Sequence, residues 1–142
     1  MTRVCAIDYG RTRTGVAFSD LLRAGAGESL VITEKDVLHL VEKITVLLKE
    51  RQVTEVAVGM PVNMDGTIGP QGDKCRRFGE MLADRAGVTV TFIDERRTTV
   101  DAHRILSENG VFRQKRKDTV DAVAATLILE IFLKRLQNGV DA

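Results

Sequence analysis

The sequence predicts an α/β domain built on a mixed sheet, and three observations carry that prediction. The chain opens with two short apolar segments of strand character, joined by the turn-like Tyr9-Gly-Arg-Thr-Arg-Thr14. Strand-like and helix-like periodicities then alternate to the end of the chain. No apolar run approaches the ~20 residues needed to span a bilayer; the longest, at 122–129, is broken by Thr126 and stopped by Glu130. A hairpin requires antiparallel pairing and a strand–helix–strand unit requires parallel pairing, so the sheet must be mixed, with helices on its faces.

Each element has its own signal. Residues 3–8 (Arg-Val-Cys-Ala-Ile-Asp) form a buried strand ending on an acid, residues 15–20 a second strand and residues 28–33 a third. Val37, Leu40, Val41, Ile44, Leu47 and Leu48 recur at helical spacing and predict an amphipathic helix. Val53–Gly59 is a short strand. The loop from Gly59 to Pro70 contains both prolines with Gly66 and Gly69, and is long enough to be either functional or a packed Ω-type connection. Cys75, Phe78, Met81 and Leu82 predict a helix over roughly 71–86, stopped by Gly87. Residues 88–94 alternate as a strand should. A helix from Thr98 or Thr99 ends at Asn109-Gly110. The last helix, 119–136, is apolar over most of its circumference and is expected in the core. No linker or repeat divides the chain, so one domain over 1–142 is expected.

Charge excludes one class of partner and leaves another open. Lys and Arg total 21 against 20 Asp and Glu, a net charge of +1, so the chain is not a uniformly basic nucleic-acid binder. Its charge is segregated, however. Residues 96–117 hold seven Arg or Lys against Asp101 and Glu108, whereas residues 28–55 hold six acids against four bases. With no Trp and one Tyr, RNA recognition by an aromatic sheet surface is not expected. Cys5 and Cys75 are far apart without a Cys-x-x-Cys motif, which speaks against a zinc site or a disulfide framework. The N-terminus runs directly into a strand rather than a leader peptide, and a cytoplasmic protein without a membrane partner is expected.

Acids stand where a site would form. Asp8 closes the first strand, Asp94 and Glu95 close the last, and Asp118 and Asp121 open the final helix at a spacing that shares one face. Sites in open α/β sheets lie beyond the carboxyl ends of parallel strands, where Asp8, Glu95 and the helix acids can converge. Oxygen ligands without His or Cys suit a hard cation, Mg²⁺ or Mn²⁺. Four of these acids also have a structural explanation: Asp8 as a turn residue, Asp118 as helix N-cap with Asp121 at its N3 position, and Glu95 as a surface ion-pair member. Gly10-Arg-Thr-Arg-Thr-Gly15 lacks the Lys-Ser/Thr of a P-loop and leads into a strand, so its glycines are expected to serve a tight turn. His39 and His103 have no evident partners and no assigned role.

The segments Ala6–Asp20, Val58-Gly-Met-Pro with Asp65-Gly, Asp94-Glu-Arg-Arg-Thr-Thr99 and Val120–Leu129 resemble, in order, the motifs of the YqgF family of RuvC-like bacterial proteins. The resemblance spans about residues 3–136. It implies a ribonuclease-H-like fold: a five-stranded mixed sheet with an antiparallel opening hairpin and helices on both faces. It also implies metal-dependent phosphodiester hydrolysis, with Asp8, Glu95 and Asp121 as catalytic acids and metal ligands and Asp118 as a further candidate ligand. Arg11, Arg13, Arg96, Arg113, Lys115, Arg116 and Lys117 would then hold nucleic-acid phosphates. The function expected first is 5′-end processing of pre-16S rRNA. The alternatives are a Holliday-junction resolvase acting on branched DNA, expected as a symmetric homodimer, and a non-catalytic nucleic-acid or ribosome-binding module.

Overall fold

The structure, a computed structural model, describes residues 2–94 and 116–139. Its strands are β1 (Arg3–Asp8), β2 (Arg13–Ser19), β3 (Ala26–Thr33), β4 (Val53–Met60) and β5 (Thr89–Asp94). Its helices are α1 (Val37–Glu50), α2 (Pro70–Ala86) and α3 (Arg116–Gln137). The strands form one sheet in the order β3-β2-β1-β4-β5. The first three are antiparallel neighbours, and β1, β4 and β5 are parallel, so the expected mixed sheet with an opening hairpin is present. The predicted helix between β5 and α3 lies outside the described residues. No helix among those described is long and apolar enough to cross a membrane.

Strand alternation divides the interior in two. Cys5, Ile7, Val16, Phe18, Val56 and Val58 point toward α1 and α2, where Leu40, Ile44, Leu48, Phe78 and Leu82 complete a buried cluster. Val4, Ala6, Ala17, Ala57 and Ile93 point the other way, against Ala125, Ile128, Leu129, Phe132 and Leu133 of α3. The second face is paved with alanine, and α3 brings Ala124 and Ala125 to it, both fully buried. Small side chains on both surfaces allow close approach of helix to sheet.

Element bounds differ from the sequence expectations where polar residues continue a ladder. β2 begins at Arg13 and β3 at Ala26, because Arg13 pairs with Thr33 and, past a register shift, Ser19 pairs with Ala26. The buried residues of α3 form one stripe (120, 124, 125, 128, 129, 132, 133), while Val123, Leu127 and Ile131 are only half-buried. The helix therefore packs on one side rather than being enclosed. Cys5 and Cys75 are both buried free thiols. Burial pushes the Cys5 thiol well above its ordinary range, so it stays protonated. Cys75 Sγ donates to the Gly59 carbonyl at 3.1 Å.

Candidate active site at the carboxyl edge of the sheet

Asp8 is the last residue of β1, half-buried, and lies directly opposite Gly15 in the β1–β2 ladder. Its alternation matches Val4 and Ala6, which places it on the α3 side. Gly15 and Arg13 have the parity of Ala17 and occupy that same side of β2.

Gly15 is where the final helix touches the sheet. A Cβ there would collide with the carbonyl oxygen of Asp121 and sit 2.6 Å from its carbonyl carbon and 3.3 Å from Ala122 N. Only glycine leaves room for the α3 backbone at this point, so Gly15 is not part of the turn that its spacing from Gly10 suggests. The turn role belongs to Gly10 alone, where a Cβ would strike the Arg13 carbonyl. Gly10 N donates to Thr14 Oγ1 at 3.3 Å, which closes the turn from the buried side. The contact at Gly15 carries Asp121, from a position over one hundred residues downstream, onto the residue that pairs with Asp8. It is a tertiary contact between remote segments, and local sequence gives no sign of it.

Asp121 is held in this position electrostatically. Arg13 Nε donates to Asp121 Oδ2 at 3.3 Å, with the two side chains 36% and 25% exposed. Arg13 is thus brought to Asp121. Arg11 is exposed in the β1–β2 loop and borders a different groove, on the α1/α2 side. Asp94 is exposed at the end of β5; its parity is that of Val90 and Phe92, opposite the Asp8 face. Glu95, Arg96, Arg113 and Lys115 lie outside the described residues. Arg116, Lys117 and Asp118 fall in the first turn of α3, though their side chains are also outside the description. Because α3 begins at Arg116, Asp118 is inside the helix and is not its N-cap. An acid in a first turn is favoured by the helix dipole. Among the described residues no three His, Cys, Asp or Glu side chains group as a metal site; Asp8 and Asp121 contribute two carboxylates to this edge.

The β4–α2 loop folds on itself. Asp65 Oδ1 accepts from Thr67 N at 3.0 Å and from Thr67 Oγ1 at 2.6 Å, which holds the Asp65 carboxyl below its usual range. Asn63 N donates to Thr67 O at 2.8 Å, and Gly66 takes a positive φ of 87° at the tip. His39 is exposed on α1, and His103 lies outside the described residues.

Known proteins resemble the chain at two levels. A Clostridioides difficile protein named as a candidate pre-16S rRNA nuclease is 40% identical over 131 residues, 92% of this chain and 93% of that protein. A Halothermothrix orenii protein of the same name is 43% identical over 131 residues, covering 92% and 94%. In fold, Thermus thermophilus RuvC in complex with a Holliday junction substrate aligns with a TM-score of 0.60 over 96% of each chain at 17% identity. The fowlpox virus resolvase with Holliday junction DNA aligns at 0.58 over 95% of this chain and 99% of that one, at 11% identity. These two show a common ribonuclease-H-like, RuvC-like architecture. With the sequence matching from residue 2 to residue 135, the chain belongs to the family described as RuvX: Holliday junction resolvase.

Proposed function

We propose that the chain is a metal-dependent nuclease that hydrolyses phosphodiester bonds of structured nucleic acid, with precursor 16S rRNA as its substrate. The observation that carries this is the seating of Asp121 on Gly15, the ladder partner of Asp8, at the carboxyl edge of the sheet. Such an approach requires a glycine and brings two acids from opposite ends of the chain to one place, which a turn residue or a helix cap would not need. RNA is preferred as substrate because relatives about 40% identical over more than 90% of their length are named for it. The family description names a junction resolvase, and the likeness to the solved junction resolvases is one of fold.

The donor set suits a divalent ion. Asp8 and Asp121 are hard oxygen donors of the kind such an ion prefers. We assign Asp8, Glu95 and Asp121 as ligands, with Asp118 as a further one. Bound Mg²⁺ or Mn²⁺ supplies a more acidic water and stabilises the charge that develops on the leaving oxygen. The protein's own cations orient the strand: Arg13 at the acids, with Arg96, Arg113, Lys115, Arg116 and Lys117 on the backbone phosphates. Water replaces the leaving oxygen on phosphorus, giving one strand end as phosphate and the other as hydroxyl.

The test presents a labelled pre-16S rRNA fragment and a four-way DNA junction to the wild type and to Asp8→Asn, with Mg²⁺ or Mn²⁺ at constant salt. The wild type should cut the RNA, and Asp8→Asn should lose at least about 100-fold in rate while keeping its fold. Cutting of the junction instead would move the substrate to branched DNA. Cleavage by Asp8→Asn at the wild-type rate would sink the site. Binding without cleavage by either protein would make the chain a non-catalytic module.

A further inference from the structure

The α1/α2 side of the sheet carries a feature that the acidic edge does not use. A groove of about 380 Å³ opens between the β1–β2 loop, the start of α1 and the exposed side of α2. Arg11, Lys35, Lys74 and Arg77 line it, and no carboxylate is among its described lining residues. None of these four cations has an ion-pair partner among the described residues, whereas Arg13, Arg23, Lys43, Arg51, Arg76 and Arg85 are all paired. Like charges gathered without counter-charges repel one another, and an anion placed among them relieves that repulsion. The N-cap of α2, Gly69, offers no capping side chain, and the positive potential of the helix end is offset only by Asp73 in the first turn.

The groove also has a flat wall. Tyr9 lines it and stacks on Phe78 with ring centroids 4.5 Å apart and planes within 9°. Phe78 is fully buried and fixes the tyrosine ring in place. A ring held in this way is ordered before any ligand arrives, and base–aromatic stacking contributes about 1–3 kcal/mol per base. Tyr9 directly follows Asp8 in the chain, so the groove begins at the edge where the acids lie.

We propose that this groove binds single-stranded nucleotides flanking the scissile bond, with phosphates against Arg11, Lys35, Lys74 and Arg77 and one base against Tyr9. The identity of the strand rests on the nuclease assignment; the groove's chemistry does not. One ring accepts one base, which agrees with a composition too poor in aromatics for a stacking sheet.

Tyr9 is the only tyrosine and the chain has no tryptophan, so intrinsic tyrosine emission reports this wall alone. The full chain carrying Asp8→Asn, in chelator, is titrated with a decameric oligouridylate, an abasic oligonucleotide of equal length, and UMP. The oligouridylate should bind and quench Tyr9, the abasic strand should bind without quenching, and UMP should bind at least about 100-fold more weakly. Lys74→Glu with Arg77→Glu, both at exposed positions, should weaken the oligomer at least about 10-fold by anisotropy. It should also reduce the slope of log affinity on log salt by about 1.4. Lys49→Glu with Lys134→Glu makes the same charge change elsewhere on the surface and should cost less than about threefold. Circular dichroism melts confirm folding, and the Gln pair at positions 74 and 77 repeats the test without charge reversal. The proposal is overturned by absence of quenching, by equal losses in the two charge-reversed pairs, or by UMP binding as tightly as the oligomer. If the wild type cleaves nothing but the groove variants lose the oligomer, the nuclease assignment fails while the groove stands; cleavage lost in Asp8→Asn with unaltered groove-variant binding is the reverse.

Discussion

Gly15 has a hydrogen where other residues have a Cβ, and α3 rests on it. Both sides of that contact are backbone, so neither can yield by a rotamer change, and adding one methyl should cost about 1–3 kcal/mol. Gly15→Ala is therefore expected to lower the melting temperature by about 3–9 °C. Because the displaced segment carries Asp121, nuclease activity measured well below the melt should fall more steeply than stability. Wild-type turnover in a folded Gly15→Ala protein would show that the seating of Asp121 does not matter. Arg13 separates the two effects from the other direction. Its pair with Asp121 is partly solvated, and such pairs contribute at most about 1 kcal/mol. Arg13→Gln should move the melt by no more than about 3 °C yet raise KM for the nucleic acid, and an unaltered KM would reduce Arg13 to a structural partner. Asp8 and Asp121 were legible as acids at the ends of elements that a parallel sheet brings to one edge. Gly15 was not, because what it makes room for lies over a hundred residues away.

Among the elements, legibility followed apolar periodicity. α1 was readable throughout because its buried positions, Leu40, Val41, Ile44 and Leu48, repeat every three or four residues. β2 and β3 were short by two residues each at their N-terminal ends, where the ladder runs on through Arg13 and Ala26-Gly27 with no apolar signal. The groove cations Lys74 and Arg77 are spaced i, i+3 on the exposed face of α2, a pattern shared with any solvated helix surface. What distinguishes them is the company of Arg11 and Lys35 from other elements, which only the fold supplies. The start of α1 gives an element-scale prediction. Asp36 accepts from Leu38 N at 2.8 Å and from His39 N at 3.1 Å, satisfying two otherwise unpartnered amides of the first turn. Asp36→Ala should cost about 1 kcal/mol and lower the melt by about 3 °C, while Asp36→Asn should retain most of it. Equal melts for the Ala and Asn variants would mean that the cap does not stabilise the helix.

On the scale of the whole molecule, the near-neutral total conceals a division of labour among charges. One set of cations gathers around Tyr9 without ion-pair partners among the described residues, and another is spent on carboxylates that tie elements together. Arg51 Nε bonds Glu28 of β3 at 2.7 Å, Lys43 of α1 meets Glu34 at 2.8 Å, and Arg85 of α2 meets Glu42 of α1 at 2.5 Å. These partners hold Glu28, Glu34 and Glu42 below the ordinary glutamate value of 4.5, chiefly through the hydrogen bonds from Arg51, Lys43 and Arg85 respectively. A carboxyl with a lower pKa in the folded than in the unfolded state binds fewer protons when folded. Its contribution is complete above the unfolded value of about 4.5 and disappears as pH falls through the folded value. Glu28 and Glu42 are exposed and Glu34 is partly covered beside an exposed lysine, so each contribution is small and screened by salt. The melting temperature should therefore be flat from pH 7 to about 5 and then decline below about 4.5. That decline should be shallower in about 1 M salt, where the pairs are already screened at neutral pH. Melts recorded by circular dichroism over this range at low and high salt decide the matter: an acid-side decline unchanged by salt would remove these ion pairs from the account.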